Sequence, residues 1–123
     1  PMAMVTHLVH KSASGKLAVI GVLMRESAQQ NRALALIWKH MPKQEGPEVT
    51  VPGVSINPAQ LLPESQAHYA YEGSLTTPPC TEGVKFFIMK MPIGIQKEMI
   101  DSFPFKMNAR PVQPLNGRKI SAS

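Results

Sequence analysis

The sequence holds one cysteine, Cys80, in 123 residues. A single thiol closes no disulfide within the chain, and it excludes any Cys-x-x-Cys metal pattern. No stretch approaches the roughly 18 consecutive apolar residues that a membrane-crossing helix needs, so no such helix is expected. The opening residues, Pro1-Met2-Ala3-Met4-Val5, lack both a charged region and a long apolar stretch, so they do not read as a secretory leader. Aromatic residues make up only 6% and do not interleave with basic ones. Lysine and arginine outnumber the acids 13 to 8, a formal charge of +5, yet the longest purely basic run is Arg118-Lys119. Scattered basic charge without an aromatic platform reads as a solvated surface, which argues against a nucleic-acid partner.

Proline and glycine, in contrast, are plentiful. Twelve prolines and eight glycines break the chain too often for a helical bundle and favour short strands joined by loops. A hydrophobic fraction of 43% suffices for the core of one small domain. Thr6–His10 and the apolar, β-branched run Leu17–Met24 read as two strands of a hairpin turned at Ser12–Gly15. From Asn31 to Met41 the period changes. Leu34, Ile37, Trp38 and Met41 fall on one helical face, and Pro42 stops the helix. Residues 42–52 form a polar loop. Asn57-Pro58 offers a cap and a first helical position for a short helix over Ala59–Leu62. Tyr69–Ser74 and Val84–Met91 read as strands, the second with Val84, Phe86 and Ile88 on one face. Ile95, Met99, Ile100 and Phe103 predict a helix with Lys97 and Glu98 outside. Asn108–Ile120 reads as an extended, proline-broken tail. The expected fold class is α+β, mostly β, built on a central mixed sheet with short peripheral helices.

The histidines are His7, His10, His40 and His68. Three residues apart on a strand, His7 and His10 point to opposite faces and cannot share one metal ion without distortion. His7 shares its face with Val9. Spacing alone also fits ordinary surface or structural histidines at all four positions. Likewise, Thr76-Thr77-Pro78-Pro79 taken alone is a turn, and Val9, Val19, Val84 and Phe86 taken alone are core.

Four separated motifs, in order, carry a family resemblance. Ser74-Leu75-Thr76-Thr77-Pro78-Pro79-Cys80-Thr81-Glu82-Gly83-Val84 is very similar to the signature loop of α-class carbonic anhydrases. His7-Leu8-Val9-His10 resembles the strand that supplies that family's third zinc histidine, and Leu17–Gly21 resembles the strand that follows it. Asn108–Arg118 resembles the family's C-terminal tail, and Ile37–Pro42 has the look of the bacterial branch. The resemblance spans nearly the whole chain, 1–123, as the C-terminal portion of one α-carbonic anhydrase domain.

The resemblance implies zinc as cofactor, carbon dioxide and bicarbonate as the small-molecule substrate, and reversible hydration as the reaction. It assigns His7 as a zinc ligand and His10 as a non-ligand. Thr76 matches the threonine whose hydroxyl accepts a hydrogen bond from zinc-bound hydroxide, and Thr77 matches a neighbour that helps place bicarbonate. Val9, Val19, Leu75, Val84 and Phe86 match the apolar wall that holds carbon dioxide. Such residue types suit the chemistry. Zinc in carbonic anhydrases is known to lower the pKa of bound water to about 7, and a linear, nonpolar substrate needs an apolar wall beside the metal.

The family's other two zinc histidines come from a His-x-His strand upstream of the position of His7, and that strand is not in this sequence. The 123-residue chain alone is therefore expected to be inactive. The alternative is a non-catalytic, carbonic-anhydrase-related binding module. Two residues before His7 the family usually has a glutamate that buttresses the ligand, whereas this sequence has Val5. In secreted members a cysteine at the position of Cys80 pairs with one near the N-terminus. That pairing implies a periplasmic or secreted location and leaves Cys80 here free or bridged between chains. Missing neighbours would expose sheet edges, and self-association is the expected consequence.

Overall fold

The computed structural model describes residues 2–105 and 108–123. The elements run β1 (Met4–Lys11), β2 (Leu17–Glu26), α1 (Arg32–His40), a 3-10 turn (Pro58–Leu61), β3 (His68–Ser74), β4 (Glu82–Met89), β5 (Ile93–Ile95), α2 (Lys97–Ser102) and β6 (Ser121–Ala122). The strands form one mixed sheet in the order β1-β2-β4-β3-β6, with β5 continuing beside β2 beyond the end of β4.

The hairpin predicted from Ser12–Gly15 is present. Lys16 N–H donates to Ser12 Oγ at 3.0 Å, Gly15 N–H donates to Ser12 O at 2.9 Å, and Gly15 takes the left-handed conformation (φ 86°) that glycine adopts without cost. β1 and β2 pair antiparallel, with His7 opposite Gly21 and Val9 opposite Val19. β2 and β4 pair parallel, with Val19 beside Phe86 and Gly21 beside Ile88. β3 and β4 pair antiparallel, with Tyr71 opposite Phe86. A parallel pair needs a long crossover, and α1, the 3-10 turn and β3 all lie within this one.

That crossover covers one face of the sheet. Asn31 caps α1 by accepting from Leu34 N–H at 3.1 Å, and its amide donates to Gln60 O at 3.0 Å, tying the helix to the 3-10 turn. Leu34, Ala33, Leu61, Met24 and Ile95 are buried together there, with Met4, Leu8, Ile37 and Trp38 packed around them. Trp38 Nε1 donates to Met99 O at 2.8 Å, which satisfies the indole at the boundary of this core.

Several boundaries differ from the sequence reading. Ile95 belongs to β5, not to the helix after it. Beside Glu26 it is only 1% exposed, so sheet pairing claims the residue that helical periodicity assigned to α2. Met41 caps α1 from outside, in extended conformation ahead of Pro42. β4 ends at Met89, and the short helix starts at Pro58 and is 3-10. The tail is irregular through residue 120, but Ser121–Ala122 adds an edge strand to β3. Arg118 anchors it: its guanidinium donates to Glu72 O at 2.8 Å, Leu115 O at 2.9 Å and Pro114 O at 3.0 Å.

Candidate active site

The other face of the sheet carries the residues of interest. Alternation along β1 sends Met4 and Leu8 into the helix-covered core and Val5, His7 and Val9 to the opposite face. Val19, Val84 and Phe86 are buried on that face, 1–4% exposed, with Leu17, Tyr71, Leu75 and Ile88 packed against them. His7 stands at the margin of this apolar patch. Its ring meets Phe86 edge-on, centroids 6.1 Å apart at 75°, and Tyr71 stacks on the far side of Phe86 at 5.4 Å and 7°.

Gly21 makes this approach possible. A Cβ there would lie 2.5 Å from Ile88 Cδ1 and 3.8 Å from His7 Cδ2. The glycine opposite His7 thus leaves room for Ile88, and the imidazole lies over the gap.

His10 lies on the opposite face, opposite Ala18, with its Nδ1 3.0 Å from Leu8 O. It borders a groove with Lys11, Lys16, Glu72 and Lys85. His7 and His10 therefore cannot converge, as strand geometry predicted.

The signature loop leaves β3 at a bulge between Gly73 and Ser74. Leu75 N–H donates to Thr81 O and Cys80 N–H to Thr77 O, both at 2.9 Å, closing the loop across its base. Inside it the Pro78–Pro79 peptide is cis and Cys80 has φ 57°. Leu75 turns onto the Val19–Val84–Phe86 patch, while Thr76 and Thr77 follow it and are exposed. Cys80 is a half-buried free thiol.

The structure thus brings His7, Val19, Leu75, Val84 and Phe86 to one face. Thr76 and Thr77 are held at the entrance of the loop that follows that face. Val9 is on the same face but 58% exposed, at the open margin of the wall. Ile88 joins the patch from the strand face that it was read to share with Val84 and Phe86, whereas Tyr71 and Gly21 complete the patch and were not singled out from sequence. The alternation Tyr69-Ala70-Tyr71 was a signal for Tyr71, but only the pairing with Phe86 reveals it.

Among the described residues, no group of three or more histidine, cysteine, aspartate or glutamate side chains is placed to hold a metal ion. His7 supplies one imidazole. A tetrahedral zinc site with an open position takes three protein ligands, so these residues do not by themselves fit zinc.

Partial burial against the patch pushes the His7 pKa below its ordinary value of 6.5, because desolvation disfavours the imidazolium. The neutral ring, with a free lone pair, is the form that binds metals. The shift has a stability consequence. Between the lowered folded value and 6.5 the unfolded chain binds more protons than the folded one, so stability rises with pH across that window and falls as pH drops through it. His7→Gln is expected to flatten the urea midpoint on the acid side of 6.5, as measured by denaturation at several pH values. An unchanged slope would count against partial burial of the ring.

Comparison with known proteins follows the same lines. The family model for eukaryotic-type carbonic anhydrase matches residues 5–123. A carbonic anhydrase of Nostoc is 42% identical over 116 residues, covering 93% of this chain and 44% of that protein. One from Klebsiella pneumoniae is 41% identical over 122 residues, covering 96% of this chain and 48% of that protein. The solved α-carbonic anhydrase of Thermovibrio ammonificans, in complex with the inhibitor sulfanilamide, superposes with a TM-score of 0.86 at 39% identity, covering 94% of this chain and 52% of that one. The chain spans about half the length of the curated relatives it matches.

Proposed function

Because this chain belongs to the eukaryotic-type, or α, carbonic anhydrase family, we propose that it contributes one wall of a zinc site for reversible hydration of carbon dioxide to bicarbonate and a proton. The observation that carries the reading is the placement of His7 at the margin of a patch made by Val19, Leu75, Val84 and Phe86, with the Thr76–Thr77 loop beside it.

Each group has a task suited to its chemistry. His7 offers a neutral imidazole, one of the three protein ligands that such a zinc site takes. The patch excludes water and receives a molecule with no hydrogen-bond donors, while Val9 closes its outer margin once a neighbouring segment packs there. The Thr76 hydroxyl orients an oxygen nucleophile, and Thr77 helps hold the bicarbonate product. The remaining ligands must come from outside the 123 residues. Val5 leaves His7 without a carboxylate two residues away on its own face, and loss of such a supporting partner costs roughly 10–100-fold in metal affinity or activity. A periplasmic or secreted location, with Cys80 in an oxidising compartment, belongs to the same proposal.

The test is to fuse this chain behind the part of the Nostoc relative that lies outside the aligned region and to measure hydration by stopped flow. The fusion is expected to hydrate carbon dioxide in a zinc-dependent manner, and Val5→Glu to improve it by about 10–100-fold. A folded, zinc-loaded fusion with no hydration would support instead a non-catalytic binding module. That second reading has one observation in its favour, the absence of a three-ligand cluster among the described residues.

A further inference from the structure

Two arginines of the C-terminal tail grip the end of β3, one on each side of its bulge. Arg118 donates to Glu72 O at 2.8 Å, ahead of the bulge between Gly73 and Ser74. Arg110 donates to Ser74 Oγ at 3.1 Å, just past it. The tail that carries them is fixed at its far end. Arg118 also donates to Leu115 O and Pro114 O, and Ser121–Ala122 pairs with β3. Pro111 and Pro114 restrict the chain between the two arginines, because proline fixes φ.

The contact does not end at Ser74. Its hydroxyl donates in turn to Leu75 O at 3.1 Å. A serine hydroxyl accepts and donates at once, and an ionised donor on one side polarises the bond on the other. Leu75 N–H meanwhile donates to Thr81 O at 2.9 Å. Both backbone polar groups of Leu75 are thus engaged while its side chain lies on the apolar patch. The peptide unit is planar, so holding Leu75 O also holds the Thr76 N–H and Cα in the same plane. Backbone orientation in turn limits the rotamers open to the side chain. We infer that Arg110 is a positioning residue: through the Ser74 hydroxyl it orients the Leu75–Thr76 peptide and so fixes where the Thr76 hydroxyl points beside the patch. What that hydroxyl is used for rests on the proposed function; the relay from Arg110 to Thr76 does not.

NMR on the 123-residue chain without zinc tests the relay. The χ1 population of Thr76, read from three-bond scalar couplings, is expected to be a single rotamer. Arg110→Ala and Ser74→Ala are each expected to spread it over several. The double variant is expected to do no more than Ser74→Ala alone, because both substitutions cut one chain of bonds. Arg110→Lys and Ser74→Thr keep a cationic donor and a hydroxyl, and are expected to restore the single rotamer. The Arg110 side chain is exposed, so its variants are expected to keep the parent's urea midpoint, which separates positioning from loss of fold. A Thr76 rotamer indifferent to Arg110→Ala, or effects of the two alanine substitutions that simply add, overturns the relay. In the Nostoc fusion, Arg110→Ala is expected to lower kcat by about 10–100-fold with KM unchanged. An active fusion whose kcat is indifferent to Arg110→Ala overturns the assignment of Arg110 to the reaction. A parent fusion without activity counts against the proposed function instead, and the rotamer measurement still decides the relay.

Discussion

Supplied with zinc, the 123-residue chain alone is expected to hydrate carbon dioxide no faster than buffer. The argument rests on ligand count and geometry. His7 is the single histidine on the apolar face, because alternation along β1 sends His10 to the other side. His68 begins β3, where its Nδ1 lies 2.8 Å from Gln66 O and its ring packs on Phe87, and His40 ends α1. Among the described residues, no group of three histidine, cysteine, aspartate or glutamate side chains lies within reach of one ion. One imidazole holds zinc too weakly to persist, since metal affinity comes from several deprotonated ligands presented together. The patch and Thr76 can receive and orient a substrate, but they generate no nucleophile at neutral pH, where bulk water has a pKa near 15.7. A stopped-flow assay of the chain with zinc, beside the fusion described above, reads the difference directly. Enzyme-like turnover by the short chain, abolished by His7→Ala, would mean that a ligand set other than this one assembles.

Leu34→Ala is expected to destabilise the fold by about 2–5 kcal/mol, the range for truncating a buried leucine when the surroundings close only partly. Leu34 is 2% exposed at the centre of the core that joins α1, the 3-10 turn, β2 and β5. Its neighbours Ala33, Leu61, Met24 and Ile95 come from four separate elements, so a cavity there loosens every attachment of the crossover to the sheet. Stability of small domains is about 5–15 kcal/mol, so the loss is a large fraction of the total. Val112→Ala is the control: Val112 is 98% exposed, and its truncation is expected to change stability by no more than about 0.5 kcal/mol. Urea denaturation of the two variants checks both. A cost for Leu34→Ala as small as that for Val112→Ala would mean that α1 is not docked as described.

Some of the molecule was legible residue by residue. The hairpin followed from two apolar runs around Ser12–Gly15, and α1 followed from a helical period that Pro42 ends. These signals are local: backbone conformation and hydrophobic period act within a few residues, and the structure keeps them. The opposition of His7 and His10 was legible for the same reason, since strand alternation does not depend on what packs outside. The functional reading came from motif resemblance, because a threonine and a valine look the same to local physics in a site or in a core.

Other features were settled only by tertiary structure. Ile95 fits a helical face in sequence, but pairing of β5 with the end of β2 buries it as a strand residue. Ser121–Ala122 is too short to signal a strand, and it becomes one because β3 offers an edge. The stacking of Tyr71 on Phe86 and the gap at Gly21 under His7 depend on the register between β2, β3 and β4. Sequence by itself determined the local elements, the faces to which alternating side chains point and the family. Tertiary structure alone decided which of those faces became a sealed core and which stayed open beside His7, because burial depends on partners far along the chain that no local pattern encodes.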